Sequence, residues 1–143
     1  MKVHISISIF ALLSAFLLLV PSVQGGEKST EEKTFTAVTS KDGVQHVDIV
    51  GGSYFFDPNH IIVRVNVPVE LKVRKDPGIT PHDIVMKSPE AGMEFKESLD
   101  TDPKTIRFTP TEAGTYPFYC DKKLLFFESH RDKGMKGVIE VVQ

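Results

Sequence analysis

The segment from residue 112 to residue 141 reads EAGTYPFYCDKKLLFFESHRDKGMKGVIEV. Two short runs in this part of the chain, Thr115–Cys120 and Gly137–Val142, are rich in β-branched and aromatic residues, which is typical of β-strands. Between them the residues follow a Cys-x9-His-x4-Met spacing. Because the connection leaves one strand and returns to the next, we expect these three side chains to lie at the same end of a sheet.

Working back toward the N-terminus, six further strand patterns are separated by turn residues. They are Val44–Val50, Tyr54–Phe56, Ile61–Val67, Val69–Arg74, His82–Met86 and Thr105–Thr109. Seven or eight short strands at this spacing predict an all-β domain, a β-sandwich or barrel. Two segments, Ser88–Leu99 and Lys122–Lys133, are expected to hold short helical or irregular pieces.

The first 25 residues have the composition of a cleaved signal peptide. A basic start at Lys2 precedes a mostly apolar run over residues 5–20, and small residues then lead to Gly25. The apolar run is short for a membrane span, which needs about 20 residues. We expect a signal peptide over 1–25, a polar linker over 26–36 and one domain over 37–143, with a periplasmic or secreted location. An uncleaved N-terminal anchor is the alternative.

The composition excludes several classes of protein. A chain of 143 residues fits one domain, and 17 basic against 19 acidic side chains leave no basic excess for nucleic-acid binding. The single cysteine excludes an intrachain disulfide and a four-cysteine zinc site. In an oxidising compartment an exposed free thiol is a liability, so Cys120 is expected to be buried, paired between chains or held by a metal.

Four side chains form a candidate metal site: His82, Cys120, His130 and Met135. Two imidazoles, one thiolate and one thioether are the donor set of a mononuclear blue-copper site, in which the methionine is a weak axial ligand. Soft sulfur donors suit Cu(I), and imidazole binds both oxidation states. The sequence therefore predicts one copper ion that cycles between Cu(I) and Cu(II).

From about residue 44 to residue 143 the chain resembles the cupredoxins, small blue-copper proteins with a Greek-key β-sandwich. The resemblance rests on TPHDIVM at 80–86, EAGTYPFYC at 112–120 and HRDKGMKGVIEV at 130–141. It implies a Greek-key β-sandwich in which His82, Cys120 and His130 are equatorial copper ligands. It also implies that Met135 is the axial ligand.

Two features depart from the family pattern. The loop DKKLLFFES between Cys120 and His130 has nine residues, more than in most cupredoxins and closer to binuclear copper-A sites. Those sites need a second cysteine, which this chain lacks. The loop length leaves Glu128 as an alternative ligand to His130 or Met135. The second departure is Asp83, where the family usually has asparagine; a carboxylate near the thiolate favours Cu(II) and lowers the reduction potential.

The long loop also carries the apolar run Leu124–Phe127, which either folds back over the copper end or docks a redox partner. Residues 121–136 hold five basic and three acidic side chains, and this excess weakly favours a partner with an acidic face. His46 and His60 lie outside the metal pattern. They are interpreted as an exposed strand residue and a turn residue.

The functional hypothesis is an exported one-electron carrier that uses a His₂-Cys-Met copper site, with an exposed edge of His130 as the route to a redox partner protein. No enzyme activity is expected, because the chain has no nucleophile motif and no glycine-rich phosphate loop. We expect a monomer that binds no nucleic acid and does not insert stably into the membrane. The alternatives are a periplasmic copper-binding or delivery protein without redox turnover, and a cupredoxin fold that has lost its metal.

Overall fold

The computed structural model describes residues 31–143, so the predicted signal peptide over residues 1–25 lies outside the described part of the chain. Within residues 31–143 ten strands form two sheets. In chain order these strands are β1 (Thr34–Thr36), β2 (Gln45–Gly52), β3 (Phe55–Asp57), β4 (His60–Arg64), β5 (Val69–Lys75), β6 (Asp83–Ser88), β7 (Met93–Ser98), β8 (Lys104–Phe108), β9 (Gly114–Tyr119) and β10 (Lys136–Val142). One turn of 3₁₀-helix, Pro89–Ala91, lies between β6 and β7.

The larger sheet has six strands in the order β1-β4-β10-β9-β6-β7. Its centre is antiparallel, since β9 pairs antiparallel with both β10 and β6, while β4 runs parallel to β10 and β1. The smaller sheet has four strands in the order β3-β2-β5-β8, with β2 and β5 parallel. The predicted all-β sandwich class is confirmed.

The core lies between the two sheets and follows the period-two pattern of the strands. Along β5, for example, Val69, Leu71 and Val73 are buried while the residues between them are charged and face outward. Phe56 from the smaller sheet and Phe118 from the larger sheet meet edge to face, with ring centroids 5.2 Å apart. This contact links the two sheets near the C-terminal end of β9.

The buried side-chain amide of Gln45 holds one edge of the core through hydrogen bonds to the backbone. Gln45, at the start of β2, is fully buried, and its Oε1 accepts a hydrogen bond from the Arg64 backbone N–H at 2.7 Å. Its Nε2 donates to the backbone carbonyls of Arg64 and Val67, both at 3.2 Å. The side chain therefore satisfies three backbone groups in the turn that connects β4 to β5.

Two strands of the structure were not expected. The short helical piece predicted within residues 88–99 is the 3₁₀ turn Pro89–Ala91, but the same range also contains β7, in which Met93 and Phe95 alternate with charged residues. The predicted linker over 26–36 ends in β1, a three-residue edge strand whose side chains are exposed. Backbone pairing with β4, and not side-chain burial, holds this strand in the sheet. Among residues 31–143 no helix has the length and apolar character needed to cross a bilayer.

Candidate metal centre

Three of the four predicted site residues lie one position beyond the ends of neighbouring strands. His82 directly precedes β6, Cys120 directly follows β9, and Met135 directly precedes β10. Because β9 is antiparallel to both of its neighbours, the start of β6, the end of β9 and the start of β10 lie at the same end of the sheet. The strand order of the sheet thus brings the three residues together.

The fourth residue, His130, comes from the long loop, and backbone hydrogen bonds fix its position. The His130 N–H donates to the Lys122 carbonyl at 2.9 Å, and the Met135 N–H donates to the His130 carbonyl at 2.9 Å. The Cys120 N–H in turn donates to the Met135 carbonyl at 3.0 Å. The bond to Lys122 closes the base of the loop, so residues 123–129 protrude without displacing the histidine.

The donor atoms of three buried side chains form a small triangle. His82 Nδ1 and His130 Nδ1 lie 3.1 Å apart, and Cys120 Sγ lies 3.5 Å from His130 Nδ1 and 3.9 Å from His82 Nδ1. Three donors in a plane around one ion, with bonds of about 2.0–2.3 Å, are separated by about 3.5 Å. The triangle is therefore the right size to surround a single metal ion.

Glu128, the alternative ligand, takes no part in this cluster. Its side chain is exposed, whereas His82, Cys120 and His130 are buried and form the metal-binding group of the described residues. Met135 is fully buried, and its terminal methyl group lies 3.1 Å from where a Cβ on Gly51 would stand. The structure thus packs the predicted axial residue against β2, next to the backbone of Cys120 and His130.

Burial sets the protonation states of the cluster. It lowers the pKa of His82 to about 4, helped by the neighbouring His130, and it also lowers the pKa of His130. Burial raises the pKa of the Cys120 thiol to about 11, although the backbone N–H groups of Asp83 and Lys122 oppose this shift. At neutral pH both imidazoles are neutral and can donate a lone pair, while the thiol releases its proton when a metal binds.

Asp83 links the strand of His82 to the cysteine. Its backbone N–H donates to Cys120 Sγ at 3.4 Å, and its Oδ1 accepts a hydrogen bond from the Asp121 N–H at 2.6 Å. Its buried Oδ2 has no hydrogen-bond partner among the described residues and faces two ammonium groups, Lys122 Nζ at 3.6 Å and Lys96 Nζ at 4.0 Å. A buried carboxylate with two nearby cations therefore lies next to the sulfur.

Tyr54 covers the two histidines, a role that the sequence did not reveal. Its ring packs edge to face on His130, with centroids 4.9 Å apart, and lies 6.3 Å from the His82 ring. Lys133 Nζ lies over the outer face of this ring, 4.5 Å from its centroid. Tyr54 was predicted as a strand residue; it occupies the turn between β2 and β3, with a left-handed φ of 65°.

Two expectations about histidines need correction. The prediction that one edge of the His130 ring is exposed is wrong, because the residue is 4% exposed and Tyr54 packs against its ring. His60 is the first residue of β4 and not a turn residue, and its ring nitrogens contact Glu32 at 3.0 Å and Glu140 at 2.9 Å. His46 is exposed on β2, as expected.

The fold and the triangle of donors define a class of protein, a β-sandwich with a mononuclear metal centre built from two histidines and one cysteine. The chain belongs to the cupredoxin-like domain family, whose model matches residues 8–139. The family and the donor set support a single copper ion, because imidazole and thiolate groups at these separations suit copper in either oxidation state.

Solved structures of the same fold include three bacterial copper and oxidase proteins. The metal-binding domain of the Cu(I)-exporting P-type ATPase CopA of Streptococcus pneumoniae, solved with Cu(I), is 24% identical with a TM-score of 0.59, over 80% of this chain and all of that domain. Reduced auracyanin from Roseiflexus castenholzii is 22% identical with a TM-score of 0.50, over 75% of this chain and 99% of that one.

The third is the periplasmic domain of cytochrome oxidase subunit II of Bradyrhizobium japonicum, which is 14% identical with a TM-score of 0.51, over 68% of this chain and 83% of that one. At these identities the likeness concerns the fold. No curated protein sequence matches the chain.

Proposed function

We propose that the protein is a one-electron carrier whose copper ion is held by His82, Cys120, His130 and Met135. The observation that carries this proposal is the donor triangle, with edges of 3.1–3.9 Å, formed by protein contacts alone. A site that needs no rearrangement to surround the ion is suited to electron transfer, because little energy is spent on moving ligands between oxidation states.

The residues around the donors maintain this arrangement. The Asp83 N–H contacts the cysteine sulfur, and the hydrogen bonds among Cys120, Met135 and His130 fix the backbone on the other side. Tyr54 packs on the imidazole of His130 and limits the access of water. When bound, copper would supply the one-electron Cu(I)/Cu(II) couple, and these residues would keep its ligands buried and in place.

Copper delivery without redox turnover is the second candidate. Buried soft donors such as Cys120 and Met135 favour Cu(I), and the similar domain of a Cu(I)-exporting ATPase was solved with Cu(I). Under either candidate the protein transforms no substrate. For the electron carrier we propose a redox partner protein with an acidic face, since residues 121–136 around the site carry a formal charge of +2.

Reconstitution of the purified protein with Cu(II) tests the proposal. We expect one copper per chain, an intense visible absorption from the bond between Cys120 and Cu(II), and a reversible reduction potential. The Cys120→Ala variant should lose the absorption, and His130→Ala should change it strongly. The matched loop variant Glu128→Ala should leave it intact, because Glu128 is exposed and outside the donor cluster.

Three results would contradict parts of this proposal. Tight binding of Cu(I) together with weak, colourless binding of Cu(II) would favour copper delivery over electron transfer. Unchanged colour and copper content in Cys120→Ala would refute the copper site itself. Loss of the absorption in Glu128→Ala, but not in His130→Ala, would overturn the ligand assignment.

A further inference from the structure

The loop between Cys120 and His130 contains a protrusion that the metal site does not use. The hydrogen bond from the His130 N–H to the Lys122 carbonyl closes the loop, so residues 123–129 leave the sandwich and return to it. We call these seven residues the loop protrusion. A β-turn with two residues between Lys122 and His130 could close the same hydrogen bond, so the positioning of His130 does not require all seven residues of the protrusion.

The tip of the protrusion is made of large apolar side chains that the fold does not bury. The exposed fractions are 63% for Leu124, 76% for Leu125, 99% for Phe126 and 61% for Phe127. Ile79, in the loop that leads to His82, is fully exposed as well. Five of the seven exposed large apolar side chains in residues 31–143 thus lie in the two loops that lead to the ligands. Of the two interpretations of Leu124–Phe127, the one in which these side chains fold back over the copper end is therefore wrong.

The backbone conformation at the tip does not explain why large apolar side chains occupy the turn. The Phe127 N–H donates to the Leu124 carbonyl at 2.9 Å, which makes a tight turn with Leu125 and Phe126 at its centre. Leu125 has a φ of 45°, in the left-handed region that favours glycine and disfavours bulky side chains. A leucine at this position costs conformational energy and solubility, so its apolar side chain requires an explanation.

The charges around the tip identify the kind of surface that it fits. Residues 121–136 have five basic and three acidic side chains, whereas the whole chain has a formal charge of −2. Two of the three carboxylates already have partners, Asp121 with Lys96 at 2.8 Å and Asp132 with the Ser129 hydroxyl at 2.6 Å. The third, Glu128, is exposed beside the tip. Among the basic side chains Lys122 faces the buried carboxylate of Asp83 at 3.6 Å, and the other four lie on both sides of the tip. The segment 121–136 is thus basic, and the remainder of the chain is acidic.

We propose that the loop protrusion is a membrane-docking element that inserts Leu124–Phe127 into the interface of an anionic bilayer. Leucine and phenylalanine partition into the boundary between headgroups and acyl chains, and flanking lysine and arginine side chains bind anionic headgroups. The acidic remainder of the chain is repelled by the same surface, so the molecule is oriented with its metal centre toward the membrane.

The shape of the tip favours a bilayer over a protein partner. A stable protein interface buries about 800 Å² on each partner, and its core packs as closely as a protein interior. Here four consecutive side chains on a two-residue turn project from the surface, with basic residues on both sides. Such a tip enters a fluid interface without a complementary surface, and the contact does not depend on the oxidation state of copper.

A single tryptophan tests the docking, because the chain contains no tryptophan of its own. The Phe126→Trp variant, copper-loaded and reduced, is mixed with vesicles of phosphatidylcholine and phosphatidylglycerol. We expect its emission to shift to shorter wavelength and to be quenched by brominated lipid. The matched control is Val38→Trp, another exposed apolar position, near Arg64 and Val142 at the opposite end of the sandwich. That control should show neither change.

A second variant separates the side chain from the turn. Leu125→Gly keeps the left-handed backbone and removes the apolar group, so we expect about tenfold weaker cosedimentation with the anionic vesicles and an unchanged copper spectrum. All variants share the same N-terminal residues, so differences between them report on the loop. High salt or pure phosphatidylcholine should also weaken binding.

Three results would overturn the docking. The first is no emission shift in Phe126→Trp, and the second is an equal shift in Val38→Trp. The third is a shift that appears without vesicles and grows with protein concentration, which would make a second copy of the chain the occupant. None of these would affect the copper spectrum, so the failure of the docking is distinguishable from the failure of the copper site.

Discussion

At the level of single residues, Asp83 has the most direct influence on the metal centre. Its N–H contacts the cysteine sulfur, and its carboxylate is buried next to it. The negative charge stabilises Cu(II) more than Cu(I), while Lys122 and Lys96 near Oδ2 offset part of this effect. The reduction potential of a copper ion held here would therefore depend on the charge of Asp83.

Replacing this charge gives the first prediction. Asp83→Asn should raise the reduction potential by on the order of 60 mV, about a tenfold shift in the ratio of the two oxidation states. The amide oxygen can still accept the hydrogen bond from the Asp121 N–H, so the geometry should be retained. Cyclic voltammetry of the copper protein measures the change.

The matched control for this substitution is Asp121→Asn. It removes the same charge from an exposed carboxylate that is already paired with Lys96, so it should shift the potential much less. A potential that is unchanged or lower in Asp83→Asn would show that the buried charge does not act on the copper couple.

At the level of elements, the hydrogen bonds of Gln45 give the second prediction. Gln45→Leu has a similar volume but leaves three part-buried backbone groups of Arg64 and Val67 without their partner. We expect a loss of about 3 kcal/mol in the free energy of unfolding, measured by urea denaturation. The neighbouring exposed variant Asp48→Asn should change the free energy of unfolding by less than about 0.5 kcal/mol. Equal stability of both variants would contradict the role of the buried amide.

The strands and the metal ligands differ in how well the sequence predicts them. Eight strands follow from alternation and turn residues, and the candidate ligands His82 and Cys120 adjoin the ends of predicted strands, as Cys120 does after β9. The sequence leaves Glu128 as an alternative to His130 or Met135, because it shows the length of the loop but not the tertiary hydrogen bond from the His130 N–H to the Lys122 carbonyl. Tyr54 was missed for the same reason: its ring reaches His130 across 76 positions of sequence.

At the level of the whole molecule, His60 joins three parts of the chain that lie far apart in sequence. Its Nδ1 contacts Glu32 at 3.0 Å in the segment before β1, and its Nε2 contacts Glu140 at 2.9 Å on β10. The Thr34 hydroxyl lies 3.4 Å from the same Nδ1. The hydrogen bonds to Glu32 and Glu140 raise the pKa of His60 above its usual value, in spite of partial burial. When it is protonated, the imidazole forms ion pairs with both carboxylates and so stabilises the N-terminal edge of the larger sheet.

The third prediction is the pH dependence of this link. Because the pKa of His60 is higher in the folded than in the unfolded chain, its stabilising effect is fully present below the unfolded pKa of about 6.5. The effect is lost as the pH rises through the folded pKa. The difference in Tm between the unsubstituted protein and His60→Gln should therefore be largest below about pH 6.5 and shrink as the pH rises through the folded pKa of His60. Titrating groups that do not contact His60 occur in both proteins and cancel from this difference, whereas Glu32, whose pKa His60 lowers, contributes to the same link.

His46→Gln is the control that separates this link from histidine titration in general. Its pKa is also raised, mainly by the hydrogen bond to Asp42, so its effect has the same sign. Its side chain is 44% exposed against 20% for His60, so solvent screens the ion pair and the pH-dependent difference in Tm should be smaller. If the His60→Gln difference stayed constant or grew with pH, the contacts with Glu32 and Glu140 would not stabilise the fold as a charged pair. The edge strand β1 would then be held by its backbone hydrogen bonds to β4 and by neighbouring contacts such as the ion pair between Lys33 and Asp57.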